Sequence, residues 1–205
     1  MNTLILDTSS NYLYIYLNNR IDKYEVILEG RNNHSEKIID LISEGLNKLN
    51  LEVSDLERII IGIGPGSYTG LRVSLTVSKM FSYLKDIPLY ITSSLNILGS
   101  GYFKNDGKYL VTNIAKKDHV YYKKVVVNNG EIESSNDNFI NTSELEKIND
   151  GYKLINENNY LFDASVITKL ATEKVDNIHD LTPNYIREAL SWDILFVQWK
   201  LKISM

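Results

Sequence analysis

The run Gly62-Ile63-Gly64-Pro65-Gly66-Ser67-Tyr68-Thr69-Gly70-Leu71-Arg72 constrains this chain more than any other stretch. It follows Arg58-Ile59-Ile60-Ile61, which is too uniformly apolar for a surface strand and so belongs in a sheet interior. It leads into a segment of helical periodicity from about Tyr68 to Leu84. Phosphates are commonly bound at such a strand-to-helix junction, on the backbone N–H groups of the helix start. The same glycines also permit positive φ angles and close helix-to-sheet packing, with Ser67 or Thr69 as the helix cap. Both readings stand on these residues. No Gly-Lys-Ser/Thr closes the run, so it is not a P-loop.

Upstream, Leu4-Ile5-Leu6 reads as a strand ending at Asp7, and Thr8-Ser9-Ser10-Asn11 favours a tight turn. Asp7-Thr8-Ser9-Ser10 could cradle a phosphate, with Asp7 holding a metal or water, or could be a plain Asx/Ser turn, which is the simpler reading. Tyr12 to Leu17 and Tyr24 to Leu28 continue the meander. From Asn33 the period becomes helical, and Ile38, Ile39, Leu41, Ile42, Leu46 and Leu49 form one apolar stripe.

The helix after Ser67 has two apolar faces. Val73, Val77, Met80, Phe81 and Leu84 share one; Leu71, Leu75, Ser78 and Ser82 lie nearly opposite. A helix resting only on its own sheet by the first face leaves Leu71 and Leu75 poorly buried, so something else is expected to cover them.

Pro88 to Thr92 reads as a strand, and Ser93-Ser94 as the cap of a helix through Leu98. Gly99 to Gly107 is the candidate linker, dividing a first lobe at 1–99 from a smaller one at 108–205. The second lobe is expected to hold strands near Tyr109–Ile114, Val120–Val127 and Tyr160–Phe162, and helices near Ser143–Ile148 and Ala164–Thr172. An apolar terminal helix carries Trp192, Leu195, Phe196 and Trp199.

A chain of 205 residues, 43% hydrophobic, can bury one sizeable core or two small ones. Its formal net charge of -4 disfavours direct binding of a phosphate backbone. The absence of Cys removes thiolate nucleophiles and sulfur-ligated metals. The opening apolar run is cut at Asp7, too short for a signal peptide or membrane core, which leads to an expectation of a cytoplasmic protein. His34 and Glu36 do not share a helix face, and His119 and His179 stand alone, so no metal site and no catalytic base is expected. No Gly-x-Ser-x-Gly elbow supports a hydrolase. Lys116-Lys117 and Lys123-Lys124 read as solvated turn charges.

Residues 64–72, Gly-Pro-Gly-Ser-Tyr-Thr-Gly-Leu-Arg, resemble the signature of the TsaB (YeaZ) family. Leu6-Asp7-Thr8-Ser9, Asn33-His34-Ser35-Glu36, Thr92-Ser93-Ser94-Leu95 and Pro183-Asn184-Tyr185-Ile186-Arg187 support it in order along the chain. The resemblance implies an α/β fold of the actin-like, sugar-kinase-like (ASKHA) type: two lobes with mixed sheets flanked by helices, the second reduced. It implies a non-catalytic scaffold for the TsaD transferase paralogue, with the TsaE ATPase as a further partner, in threonylcarbamoyladenosine modification of tRNA beside the anticodon. It implies tRNA contact only through the complex, no cofactor, no membrane, and a homodimer when TsaD is absent.

In that family the subunits meet through helices corresponding here to 33–50 and 68–84, which gives Ile38, Ile42, Leu46, Leu71, Leu75, Ser78 and Ser82 as expected partner-interface residues. Ser74 stands where the family usually has Gly, and Ala115-Lys116-Lys117 replaces a more typical Asp-Ala-Arg. The paralogue's His-x-x-x-His motif is missing, since Lys37 and Ile38 follow His34-Ser35-Glu36. The alternative function is an autonomous small kinase or ATPase of the same fold, using Asp7 and the Gly64–Ser67 loop. A peptidase is a third reading, opposed by the lack of a nucleophile-base pair.

Overall fold

The computed structural model describes residues 1–30 and 34–186. The expected start of the first helix at Asn33 and the terminal apolar helix lie outside the described residues.

Strands β1 (Thr3–Asp7), β2 (Tyr12–Asn18) and β3 (Lys23–Glu29) form an antiparallel meander. Helix α1 (His34–Lys48) leads to β4 (Arg58–Gly62), which pairs parallel to β1; helix α2 (Tyr68–Lys85) then leads to β5 (Leu89–Thr92), parallel to β4. Strand β4 is central and flanked by apolar layers on both faces, which is why Ile59, Ile60 and Ile61 show no alternation and are fully buried. Helix α3 (Ser94–Gly99) is capped by Ser93, whose Oγ accepts from Leu95 N.

A second sheet is built on the long hairpin β6 (Gly107–Lys116) and β7 (His119–Asn128), with β8 (Glu131–Ser134) and β9 (Asn138–Asn141) both paired to β7. After the one-turn helix α4 (Leu145–Ile148), β10 (Lys153–Ile155) joins β6 in parallel. Helix α5 (Ala164–Leu170) is capped by Asp163, which accepts from Ser165 N and Val166 N.

Helices α1 and α2 cover one face of the first sheet, burying Leu4, Leu6, Ile59 and Ile61 under Ile38, Ile42, Leu46 and Leu75. On the opposite face Ile5, Tyr14 and Ile60 pack with Ile97 of α3 and Ile167 of α5. The other side of α3 contributes Leu95 and Leu98 to the core under the second sheet. Two short helices thus separate the sheets. The mixed-sheet α/β architecture matches the sequence expectation.

Three local expectations need correction. Tyr160–Phe162 is not a strand: its aromatic run is spent on packing, with Phe162 stacked on Tyr14 at 4.6 Å and Tyr160 OH donating to Thr112 O. Gly99–Gly107 is not a loose linker, because Ser100 and Phe103 are buried and Gly101 N donates to Leu161 O. Nor do all residues beyond 108 stay with the second sheet. After α5 the chain returns as β11 (Glu173–Lys174), antiparallel to β5, which covers an edge that would otherwise expose unpaired backbone groups.

The loop from Gly64 to Gly70 lies directly on the turn after β1. Ser67 N donates to Ser9 O at 2.6 Å, and Thr8 Oγ1 donates to Gly70 O. A Cβ on Gly66 would strike Ser9 O, and one on Gly70 would strike Thr8 O; both obstacles are backbone and cannot swing away. Gly70→Ala is therefore expected to destabilise the fold by about 3 kcal/mol, read as a lower urea midpoint with an unchanged m value.

Candidate functional site

Where the two sheets face each other, Ser9, Ser10, Asn11, Ser67, Tyr68, Asn113, Ile114, Ala115 and Glu157 line a cleft of about 400 Å³. Its floor is fastened: Asn113 Nδ2 on β6 donates to Ser9 O at 3.1 Å and to Pro65 O at 3.4 Å. Ser67 Oγ is committed to capping α2, accepting from Gly70 N. Among the lining residues the single charged side chain is Glu157, so the cleft supplies no cation for a polyphosphate.

Asp7 does not reach this cleft. It is fully buried, with Oδ1 accepting from Ser9 N at 2.9 Å and Ser9 Oγ at 2.6 Å, and Oδ2 accepting from Ser94 Oγ at 2.7 Å. Ser94 Oγ in turn accepts from Gly64 N at 3.0 Å. Both carboxylate oxygens are spent tying β1 to the glycine loop and to α3. Desolvation pushes the Asp7 pKa up to about 6, against the lowering effect of those hydrogen bonds. The glycines act in the same contact, since a Cβ on Gly62 would meet Asp7 Oδ2. Of the two readings of the glycine run, close packing is the one the geometry uses.

A second polar cluster joins the lobes away from the cleft. Lys123 of β7 and Asp137 form a buried ion pair at 2.8 Å; Ser93 Oγ donates to Asp137 Oδ1 at 2.7 Å and Asn184 Nδ2 to Oδ2 at 3.4 Å. Lys123 is thus no solvated turn charge. Strand alternation puts it on the inward face with Tyr121, Val125 and Val127, where only a carboxylate makes it tolerable. Lys124, on the other face, lies over the Tyr152 ring at 4.7 Å. His119 stacks on Phe139 and His179 meets Tyr83 edge-on, and among the described residues no three His, Asp or Glu side chains gather to hold a metal.

The seven expected interface residues, Ile38, Ile42, Leu46, Leu71, Leu75, Ser78 and Ser82, are all buried inside their own lobe. Leu71 is 1% and Leu75 8% exposed, so no foreign helix is needed to cover them. The inner side of α2 is turned from the one expected: it takes Leu71, Leu75 and the serines as well as Val77, with Val73 and Phe81 part-buried at its margin. Ser74, Ser78 and Ser82 are small enough for the helix to sit close on the sheet, with Ser82 Oγ donating to Ile87 O at 2.6 Å and Ser74 Oγ bonding back to Leu71 O. The bulkier Met80, Tyr83 and Leu84 are turned outward, Tyr83 and Leu84 being 64% and 66% exposed. With Ile39 and Tyr68 they are the large apolar side chains that α1 and α2 leave exposed. Between the helices runs a groove of about 490 Å³, lined by Ser35, Ile38, Ile39, Tyr68, Thr69, Arg72, Val73, Thr76 and Val77. The run of small residues at 74, 78 and 82 was the sequence signal for the inner face.

A family model described as TsaD, tRNA N6-adenosine threonylcarbamoyltransferase, matches residues 28–189. The tRNA threonylcarbamoyladenosine biosynthesis protein TsaB of Bacillus subtilis is 32% identical over 136 residues, which are 65% of this chain and 58% of that protein. The TsaB of Haemophilus influenzae is 28% identical over 125 residues, 60% of this chain and 53% of that protein. The chain therefore spans just over half the length of these curated relatives. YeaZ from Pseudomonas aeruginosa superposes with a TM-score of 0.76 at 17% identity, covering 90% of this chain and 99% of that one, which shows the shared fold. No described helix is long and apolar enough to cross a membrane.

The raised Asp7 pKa has a definite sign. Between about pH 4 and pH 6 the folded state holds a proton that the unfolded state has released, so this group makes stability fall as pH rises. Asn at position 7 can keep an oxygen towards Ser9 and offer its amide to Ser94 Oγ. Asp7→Asn is expected to gain on the natural protein by roughly 1–3 kcal/mol between pH 4.5 and pH 7.5, measured as the difference in urea unfolding free energies at the two pH values.

Proposed function

The chain belongs to the tRNA N6-adenosine threonylcarbamoyltransferase family, in its TsaB (YeaZ) branch, and on that footing we propose that it is a non-catalytic subunit of the threonylcarbamoyladenosine machinery. It binds a TsaD-like transferase, assists modification of the adenosine beside the tRNA anticodon, and works in the cytoplasm with a TsaE-like ATPase as a further partner. Contact with tRNA is made through the complex, in keeping with a net charge of -4.

The observation that carries this reading is the apolar outer surface of α1 and α2. Met80, Tyr83, Leu84, Tyr68 and Ile39 are all more than two-fifths exposed on one side of a well-packed lobe, a placement that favours burial against another helical surface. The helices are those the family resemblance assigns to docking; the contacting side chains are the outward ones. In the absence of the transferase the same surface pairs two copies of this chain.

The alternative of an autonomous kinase or ATPase finds little support in the cleft. Its candidate metal ligand, Asp7, is buried with both oxygens occupied, and the lining offers a carboxylate where a triphosphate needs cations. A peptidase lacks a nucleophile-base pair among these residues.

Met80→Glu with Tyr83→Glu is expected to weaken binding to the TsaD-like transferase by about 10-fold or more, read by gel filtration and calorimetry, with thermal stability nearly unchanged because both side chains are exposed. Leu71→Asp, by contrast, should unfold the lobe. No complex between the natural protein and the transferase, or micromolar ATP binding with turnover by the chain alone, would overturn the proposal.

A further inference from the structure

The cleft between the sheets has two sides of opposite polarity. One is the start of α2. Tyr68 N and Thr69 N, in the first turn of that 18-residue helix, meet no acceptor among the described residues and carry the positive end of the helix dipole. Ser67 Oγ and Ser10 Oγ already accept, from Gly70 N and Tyr12 N, so each hydroxyl still has its proton to donate. This side suits a carboxylate.

The other side is Asn113 and Glu157. Asn113 is 4% exposed, and its Nδ2 faces two carbonyl oxygens, Ser9 O and Pro65 O, which can only accept. That fixes the orientation of the amide and leaves Oδ1 turned to the cleft, where it accepts no hydrogen bond from the described residues. The Glu157 carboxylate makes neither an ion pair nor a hydrogen bond among them. Arg72 does not supply one: it lies over the Tyr68 ring at 4.0 Å and lines the α1–α2 groove, not the cleft. Two acceptors without donors suit an ammonium group.

These sides are held close together, because Asn113 Nδ2 and Ser67 N donate to the same oxygen, Ser9 O, at 3.1 and 2.6 Å. A ligand that satisfies both therefore carries a negative and a positive group a few atoms apart. A phosphate matches the first side and is repelled by Glu157; a simple amine matches the second and is opposed by the helix dipole.

We propose that this cleft binds a free α-amino acid, with its carboxylate at the start of α2, its ammonium between Asn113 Oδ1 and Glu157, and its side chain against Tyr68 and Ile114. The site goes beyond the docking role and stands without it.

Nuclear magnetic resonance titration of the full chain with each of the common amino acids tests this. At least one should bind with a dissociation constant on the order of a millimolar or tighter, shifting the amide signals of residues 9–11, 67–68 and 113–115. Its α-amide, which lacks the carboxylate, and its N-acetyl derivative, which lacks the ammonium, should each bind about 10-fold more weakly or not at all. So should 4-aminobutyrate, which sets the same charges further apart. Glu157→Gln changes a part-exposed side chain and should weaken the amino acid about 10-fold, with the spectrum of the free protein preserved. The site is refuted if no amino acid binds up to about 10 mM, if the shifts lie elsewhere, if the amide or the N-acetyl derivative binds as well as the parent, or if Glu157→Gln keeps full affinity. Tighter binding of inorganic phosphate or of adenosine also refutes it, making the cleft a place for an anion or a neutral nucleoside.

Discussion

Everything in this molecule is referred to one backbone-on-backbone contact, between the turn after β1 and the glycine loop before α2. Ser67 N reaches Ser9 O, Thr8 Oγ1 reaches Gly70 O, and neither Gly66 nor Gly70 leaves room for a side chain. Asp7 continues the contact beneath the surface by joining Ser9 to Ser94. Because α2 starts from this contact, its rotation about its own axis is set there. That rotation decides which side chains the molecule shows to others.

Much of this was legible in the residues. The long apolar stripe of α1, the continuous Ile run of β4 and the Ser67 cap of α2 are strong periodic or chemical signals, and the elements follow them. Four short strands escaped: β10, three residues beside β6, and the polar β8, β9 and β11, which have two to four residues each, made mostly of Glu, Ser, Asn and Lys. The pairing of the polar three is imposed by β7 and β5, not by their own propensity. Tyr160–Phe162 erred the other way, because an aromatic run that packs between sheets has the same composition as a strand.

The misassigned face of α2 is the instructive case. Counting apolar residues favours Val73, Val77, Met80, Phe81 and Leu84 as the inner side, yet the sheet takes Leu71, Leu75 and the serines beside Val77 and turns Met80 and Leu84 outward. Close approach rewards small side chains, whose hydroxyls can bond to nearby carbonyls, and leaves the large flexible ones for contact with something else. The docking role we propose from the family resemblance therefore falls to different residues. Those the sequence nominated are needed to build the lobe that presents them.

The Lys123–Asp137 pair bears on motion. It is desolvated, and it is shared by Ser93 at the head of α3 and Asn184 on the returning chain. Losing one partner of such a pair costs roughly 3–5 kcal/mol. Enzymes built on two lobes often work by hinging shut around a substrate, but here that articulation is latched. The pair therefore ties the second sheet to the head of α3 and to the returning chain, so that opening the two lobes would strand a charge out of water.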